Sequence, residues 1–167
     1  TGYKWQVKAC DDTPACSAWV AYNASTPNFT VDTTAPTISI GAPSASLTKS
    51  GPITYTITYG GADAVTLADG NVSLNKTSTA NGTAVVSGSG TDTRTVTISS
   101  ITGDGTLGIS IAAGTASDTA GNTSLAAGPS ATFTADNTAP TISIGAPSAG
   151  LTKSGPITYT ITYSGAD

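Results

Sequence analysis

The sequence has no His, no Met and no Glu. Acid–base chemistry would therefore rest on Asp, Lys and Tyr, without the side chain that titrates nearest neutrality, so no enzyme is expected. Only 10% of residues are charged and the formal net charge is -4, too little positive charge to grip a phosphate backbone; no nucleic-acid partner is expected. No apolar run approaches the roughly 18 residues of a membrane span, so no membrane insertion is expected in this segment. The opening Thr1-Gly2-Tyr3-Lys4-Trp5 has none of the layout of a signal peptide, and an export signal would lie elsewhere.

What the chain does have is Thr, Ser, Gly and Ala, which make up 96 of its 167 residues, and a long internal repeat. The stretch that begins at Asp32 returns 104 residues later at Asp136, and over 32 aligned positions only Thr33/Asn137, Ser46/Gly150 and Gly60/Ser164 differ. A period of this length is that of a whole domain with its own core, not of a solenoid turn. The same offset aligns Phe29-Thr30 with Phe133-Thr134 and, carried back without a gap, lays Tyr3, Trp5, Val7 and Ala9 over Leu107, Ile109, Ile111 and Ala113. Three units are expected: residues 1–31 as the closing strands of one module, 32–135 as a complete module, and 136–167 as the opening strands of the next. Such a chain reads as an excerpt from a longer polypeptide.

Within residues 32–135 the apolar period is two, carried by residues that suit a pleated, half-buried surface. Ile53, Tyr55, Ile57 and Tyr59 alternate with Thr54, Thr56 and Thr58, which gives one apolar and one hydroxyl face. Similar runs at 37–40, 72–74, 84–86, 95–99, 107–111 and 131–135 bring the expectation to seven strands. They are divided by turn signals, including Gly41-Ala42-Pro43, Asn81-Gly82 and Gly103-Asp104-Gly105. Seven short strands in about a hundred residues point to an all-β fold, a two-sheet Greek-key sandwich.

Cys10 and Cys16 flank Asp11-Asp12-Thr13-Pro14-Ala15, a turn-like sequence between two expected strands. Facing positions of an antiparallel pair lie about 4.5 to 5.5 Å apart, within disulfide range. A bridge is the expected state and argues for export; two free thiols in a reducing compartment are the alternative. Both Trp residues fall in the same fragment. Trp5 alternates with Tyr3 and Val7 and is expected in a core, and Trp19 is more simply packing than a platform for stacking sugars.

The order of short motifs, Asp32-Thr33-Thr34-Ala35-Pro36-Thr37, then Gly103-Asp104-Gly105, then Ser117-Asp118-Thr119-Ala120-Gly121-Asn122 and Phe133-Thr134, resembles the tandem immunoglobulin-like repeats of large bacterial surface proteins and adhesins. Residues 3–10 and 16–19 resemble the closing strands of a fibronectin type III-like module. The resemblance implies an extracellular location, secreted or on the bacterial cell surface, and a stalk or fibre whose partners are neighbouring repeats of the same chain, or other copies in a filament.

All ten acidic residues are Asp, and all are expected in turns, linkers or strand ends, where a carboxylate commonly caps nearby N–H groups. In such a sandwich the incoming linker (Asp32), the second loop (Asp63, Asp69) and the sixth loop (Asp118) share one pole. Asp104 and Asp136 share the other, where Asp167, the counterpart of Asp63, would join them. Calcium accepts hard oxygen ligands in irregular geometry, and the resemblance implies calcium at such junctions, so these aspartates are its candidate ligands. The leading functional expectation is an extended structural spacer. The alternatives are a glycan- or protein-binding module and a spacer within a secreted polysaccharide-degrading enzyme.

Overall fold

A computed structural model describes residues 2–13, 15–22 and 29–165. Their strands, in chain order, are β1 (Gly2–Tyr3), β2 (Trp5–Val7), β3 (Val20–Tyr22), β4 (Phe29–Thr30), β5 (Thr37–Ile40), β6 (Leu47–Thr48), β7 (Ile53–Gly60), β8 (Ala64–Val65), β9 (Val72–Lys76), β10 (Asn81–Ser87), β11 (Thr93–Thr102), β12 (Gly105–Ile111), β13 (Ala116–Ser117), β14 (Phe133–Ala135), β15 (Thr141–Ile144) and β16 (Ile161–Ser164). One 3-10 turn, Asp69–Asn71, is the only helical element among the described residues. The fold is all-β, as the alternation requires.

Residues 37–135 form two four-stranded sheets, ordered β10-β11-β7-β5 and β6-β14-β12-β9. Every ladder in them is antiparallel except β6 with β14, which run parallel. A single cluster of buried side chains joins the sheets, with Tyr55, Ile57, Val96 and Ile98 from one and Leu107, Ile109, Ile111 and Phe133 from the other. The Tyr55 hydroxyl donates to the carbonyl of Ala131 at 2.9 Å, so the polar tip of a buried ring is satisfied across the core. Burial pushes the Tyr55 phenol above its ordinary range.

Two details depart from the alternation pattern. The expected first strand, 37–40, is β5 and pairs with β7 in one sheet, and a short strand that the alternation did not predict, β6, follows it and pairs with β14 in the other. Between them the chain is tied by Gly41 N–H to Thr56 O and Ser44 N–H to Thr54 O, and Pro43, which lacks an N–H, cannot continue a ladder. The two sheets therefore hold eight strands rather than seven. Asn81-Gly82 is not a turn but lies inside β10, at a register shift between Asn81↔Thr102 and Thr83↔Ser99. The extra residue of this bulge lies on β11, where Ser100 has φ 52, and opposite it a Cβ on Gly82 would come within 2.9 Å of Ile98 Cγ2, so β10 needs a residue with no side chain there.

Outside the two sheets lie four two-stranded ladders: β8–β13, within the same stretch of sequence, and β1–β4, β2–β3 and β15–β16 to either side. The disulfide between Cys10 and Cys16 is present, with the Cα atoms 4.0 Å apart, and closes the loop beyond β2–β3. Asp11 organises that loop by accepting from Thr13 N–H, Thr13 Oγ1 and Ala15 N–H. These donors, the Thr13 hydroxyl foremost, hold its carboxyl below the ordinary value of 3.8. Trp5 and Trp19, expected as packing, are instead exposed, because no described sheet covers either side of this hairpin. Trp19 carries the Lys8 ammonium over its ring at 4.9 Å.

Candidate functional site

The sandwich has two poles at which linkers enter and leave, and aspartates organise both. The incoming linker turns at Asp32, whose Oδ1 accepts from Thr34 N–H at 2.9 Å. The outgoing linker repeats the turn, with Asp136 Oδ1 accepting from Thr138 N–H at 3.0 Å. This is the local economy of an Asp two residues before the donor it caps.

At the incoming pole, Asp118 accepts from Asn122 twice, from the N–H and from Nδ2, each at 2.8 Å. Asn122 Nδ2 also reaches the carbonyl of Asp32 at 3.1 Å, so the loop before β14 holds the linker before β5. The Asn122 side chain is the main reason that the Asp118 carboxyl lies below its ordinary value of 3.8. Asp63 accepts from Thr119 N–H and Oγ1, both at 2.8 Å, which ties the β7–β8 connection to the same loop. Asp32, Asp63 and Asp118 line one cleft of about 390 Å³, floored by Gly60 and Gly61. Asp69 does not join them, since its Oδ1 accepts from Val86 N–H at 2.6 Å, on the side of the module where β9 meets β10.

At the outgoing pole, the tight turn of Gly103, Asp104 and Gly105 seizes the linker. Gly103 has φ +69 and a Cβ there would sit 2.2 Å from Thr79 O, so only Gly brings the turn this close to the β9–β10 connection. Asp104 N–H donates to Thr79 Oγ1 and Thr79 N–H donates to Asp104 O. The Asp104 carboxylate, so fixed, accepts from Asn137 N–H and from Thr138 Oγ1, the latter at 2.6 Å. Asn137 Nδ2 donates to Gly103 O at 2.7 Å. The Thr138 hydroxyl and the Asn137 N–H hold the Asp104 carboxyl below 3.8. Asp104 and Asp136 thus converge on one residue, Thr138.

The expected grouping of carboxylates is present in outline: Asp32, Asp63 and Asp118 at one pole, Asp104 and Asp136 at the other. Asp167 lies outside the described residues. Among the described residues no three of His, Cys, Asp or Glu are close enough together to hold a metal ion; the carboxylates meet N–H and O–H groups instead. The donors Thr119, Asn122, Asn137 and Thr138 escaped sequence reasoning. Their signal was in the spacing, a Thr two residues after each linker Asp and an Asn four residues after Asp118. No helix among the described residues is long and apolar enough to cross a membrane. Comparison with protein families, curated proteins and solved structures finds no match.

Proposed function

We propose that residues 32–135 are an immunoglobulin-like Greek-key module in a tandem array, and that the array is an extended spacer in a fibre or adhesin stalk outside a bacterial cell. The carrying observation is that strand register repeats at the sequence period. Thr106↔Thr134 and Leu107↔Phe133 recur 104 residues earlier as Gly2↔Thr30 and Tyr3↔Phe29. Thr37↔Gly60 through Ile40↔Ile57 recur 104 residues later as Thr141↔Ser164 through Ile144↔Ile161. That repetition supports a division into modules 1–31, 32–135 and 136–167. The immunoglobulin-like assignment is supported by the strand orders β10-β11-β7-β5 and β6-β14-β12-β9, which match four strands D-E-B-A facing C, F and G with the first strand shared between sheets.

The mechanism is mechanical. Each module adds its length, and hydrogen bonds from a pole hold each linker, the incoming one to Asn122 of the module it enters and the outgoing one to Gly103 and Asp104 of the module it leaves, which restricts bending. A ten-residue strand such as β11 is about 33 Å long, so each added module lengthens the array by roughly that much. Small-angle scattering on chains carrying two, four and six copies of residues 32–135 tests this: maximum dimension rises linearly with copy number. A dimension that grows as the cube root would mean collapse and would end the spacer reading.

Within this reading, calcium at the junctions is a proposal that rests on the resemblance of the sequence and not on any grouping of carboxylates among the described residues. Its expected signature is a maximum dimension that falls in chelator and responds less to calcium in Asp136→Ala. Identical scattering in calcium and in chelator leaves the aspartates as turn caps alone. The disulfide favours an oxidising, extracellular compartment.

A further inference from the structure

Of the seven Asn in the chain, only Asn81 is followed by Gly. In such a pair the side-chain amide lies one five-membered ring away from the next backbone nitrogen, and a residue without a Cβ leaves that nitrogen open to it. The fold keeps the pair together. A Cβ on Gly82 would meet Ile98 Cγ2 at 2.9 Å and Ser99 O at 3.2 Å, so packing against β11 retains Gly at this position. The register steps from Asn81↔Thr102 to Thr83↔Ser99 and leaves Gly82 without a facing residue, which puts the Asn81–Gly82 peptide at the irregular point of the ladder.

The surroundings of the Asn81 amide are unlike those of the other Asn side chains. Lys76 Nζ donates to Asn81 Oδ1 at 3.2 Å, and both residues are exposed. Asn81 Nδ2 has no hydrogen-bond partner among the described residues. In Asn75, Asn122 and Asn137 the same nitrogen is engaged: it donates to Ser110 Oγ, to Asp118 and the Asp32 carbonyl, and to Gly103 O respectively. A cation on a carbonyl oxygen draws electron density from its carbon and stabilises negative charge that develops on that oxygen. Asn81 therefore combines an activated carbon, an adjacent nucleophile and a leaving nitrogen that no protein group holds.

We propose that Asn81 is a site of intramolecular deamidation, with Lys76 supplying the charge that stabilises the addition. The Gly82 N–H gives its proton to solvent base and the nitrogen bonds to Asn81 Cγ, while the charge that builds on Oδ1 meets the Lys76 ammonium. The Cγ–Nδ2 bond then breaks, and the nitrogen takes a proton from solvent and leaves as ammonia. Water opens the resulting cyclic imide at either of its two carbonyls, which gives an aspartate or an isoaspartyl linkage at position 81. The aspartate product sets a carboxylate against Lys76. The isoaspartyl product adds an atom to the main chain of β10 two residues from Thr79, whose N–H donates to Asp104 O and whose hydroxyl accepts from Asp104 N–H. The modification thus reaches the turn that clamps the outgoing linker. Neither step depends on the spacer reading.

Peptide mapping by mass spectrometry of the whole chain, held for weeks in mildly alkaline buffer, tests this. Asn81 converts to a mixture of aspartate and isoaspartyl products while Asn75, Asn122 and Asn137 persist. Lys76→Gln, a change at an exposed side chain that leaves the thermal melt in place, slows the conversion about threefold, the scale of an exposed charge contact expressed as a rate. Lys76→Arg keeps a cationic donor and restores most of the rate. In denaturant the three chains convert alike, because the contact between positions 76 and 81 is lost. Four results overturn the proposal: an Asn81 that persists as long as Asn75; natural and Lys76→Gln chains that convert at one rate when folded; a difference between them that survives in denaturant; or a product in which Lys76 and Asn81 are joined with loss of ammonia, which would mean that Lys76 Nζ rather than the Gly82 nitrogen attacks Cγ.

Discussion

Residues 37–60 and 141–164 differ only at Ser46/Gly150 and Gly60/Ser164, and they fold into the same ladder with different burial. The pairing register is identical. So are the connecting hydrogen bonds: Gly41 N–H to Thr56 O returns as Gly145 N–H to Thr160 O, and Ser44 N–H to Thr54 O as Ser148 N–H to Thr158 O. Yet Tyr55, Ile57 and Tyr59 are 0%, 0% and 5% exposed, while Tyr159, Ile161 and Tyr163 are 57%, 50% and 64% exposed. Register is thus specified within 24 residues, by turn geometry and alternation, whereas burial is conferred from outside by β11 alongside and β12 and β14 across. The strand lengths agree with this division. Ile53–Thr56 are paired by β11 alone, and their counterparts 157–160 form no ladder.

The comparison breaks if the same substitution has the same effect in both copies. Ile57→Ala removes a fully buried side chain from a packed core and is expected to cost about 3 kcal/mol. Ile161→Ala, the same change in the second copy, is expected to cost under about 0.5 kcal/mol at concentrations where the chain is monomeric. Chemical denaturation followed by circular dichroism measures both, and equal losses would mean that residues 136–165 share a core with something. Hydrogen exchange sharpens the contrast: amides of β7 and β11 exchange near the global unfolding limit, while those of β15 and β16 exchange through local opening.

A smaller effect separates the two tyrosines. Tyr55→Phe keeps the ring volume but removes one of two donors to Ala131 O, which retains that from Ser130 Oγ, and is expected to cost about 1 kcal/mol. Tyr159→Phe removes a hydroxyl that water already serves, and no change in melting is expected. A loss in both copies would show that Tyr159 is also buried in solution.

The same division explains how much was legible beforehand. Alternation in 53–59 and 107–111 placed the core strands and the core side chains, because period two is a local property of the pleat. The Cys10–Cys16 bridge followed from spacing for the same reason. Trp5 and Trp19 were misplaced because their exposure depends on which sheet lies opposite, and their own neighbours do not encode that. The Asn81-Gly82 bulge was read as a turn because Gly signals both, and only the partner Ile98 distinguishes them. Of the poles, alternation and topology gave which loops meet. They did not give the acceptor geometry, which rests on Thr119, Asn122, Asn137 and Thr138, donors supplied from the other strand ends.

The smallest expected effect concerns a position where the copies differ, Thr33 against Asn137. Asn137 donates through Nδ2 to Gly103 O, a bond its Thr33 counterpart has no amide to make, so the outgoing linker is clamped by side chain and backbone together. Asp104 is the centre of that clamp, and its pH dependence has a definite sign. Hydrogen bonds from the Thr138 hydroxyl and Asn137 N–H hold its carboxyl below 3.8. The clamp's contribution is therefore complete above that value and disappears as pH falls through the lowered one. In an NMR titration, the amide shifts of Asn137 and Thr138 are expected to stay flat from neutral pH to about 4 and to move only below it. Asp104→Asn, neutral throughout, should abolish the movement at Asn137, whose N–H is the one that donates to Asp104, while the core resonances of Ile57 and Phe133 stay in place. Asn137→Thr should leave the titration but raise its midpoint toward 3.8, because a linker held less firmly returns fewer donors to the carboxylate. A midpoint unchanged in Asn137→Thr would show that the Nδ2 bond adds nothing to the clamp, and that the two linkers, for all their difference in sequence, are held alike.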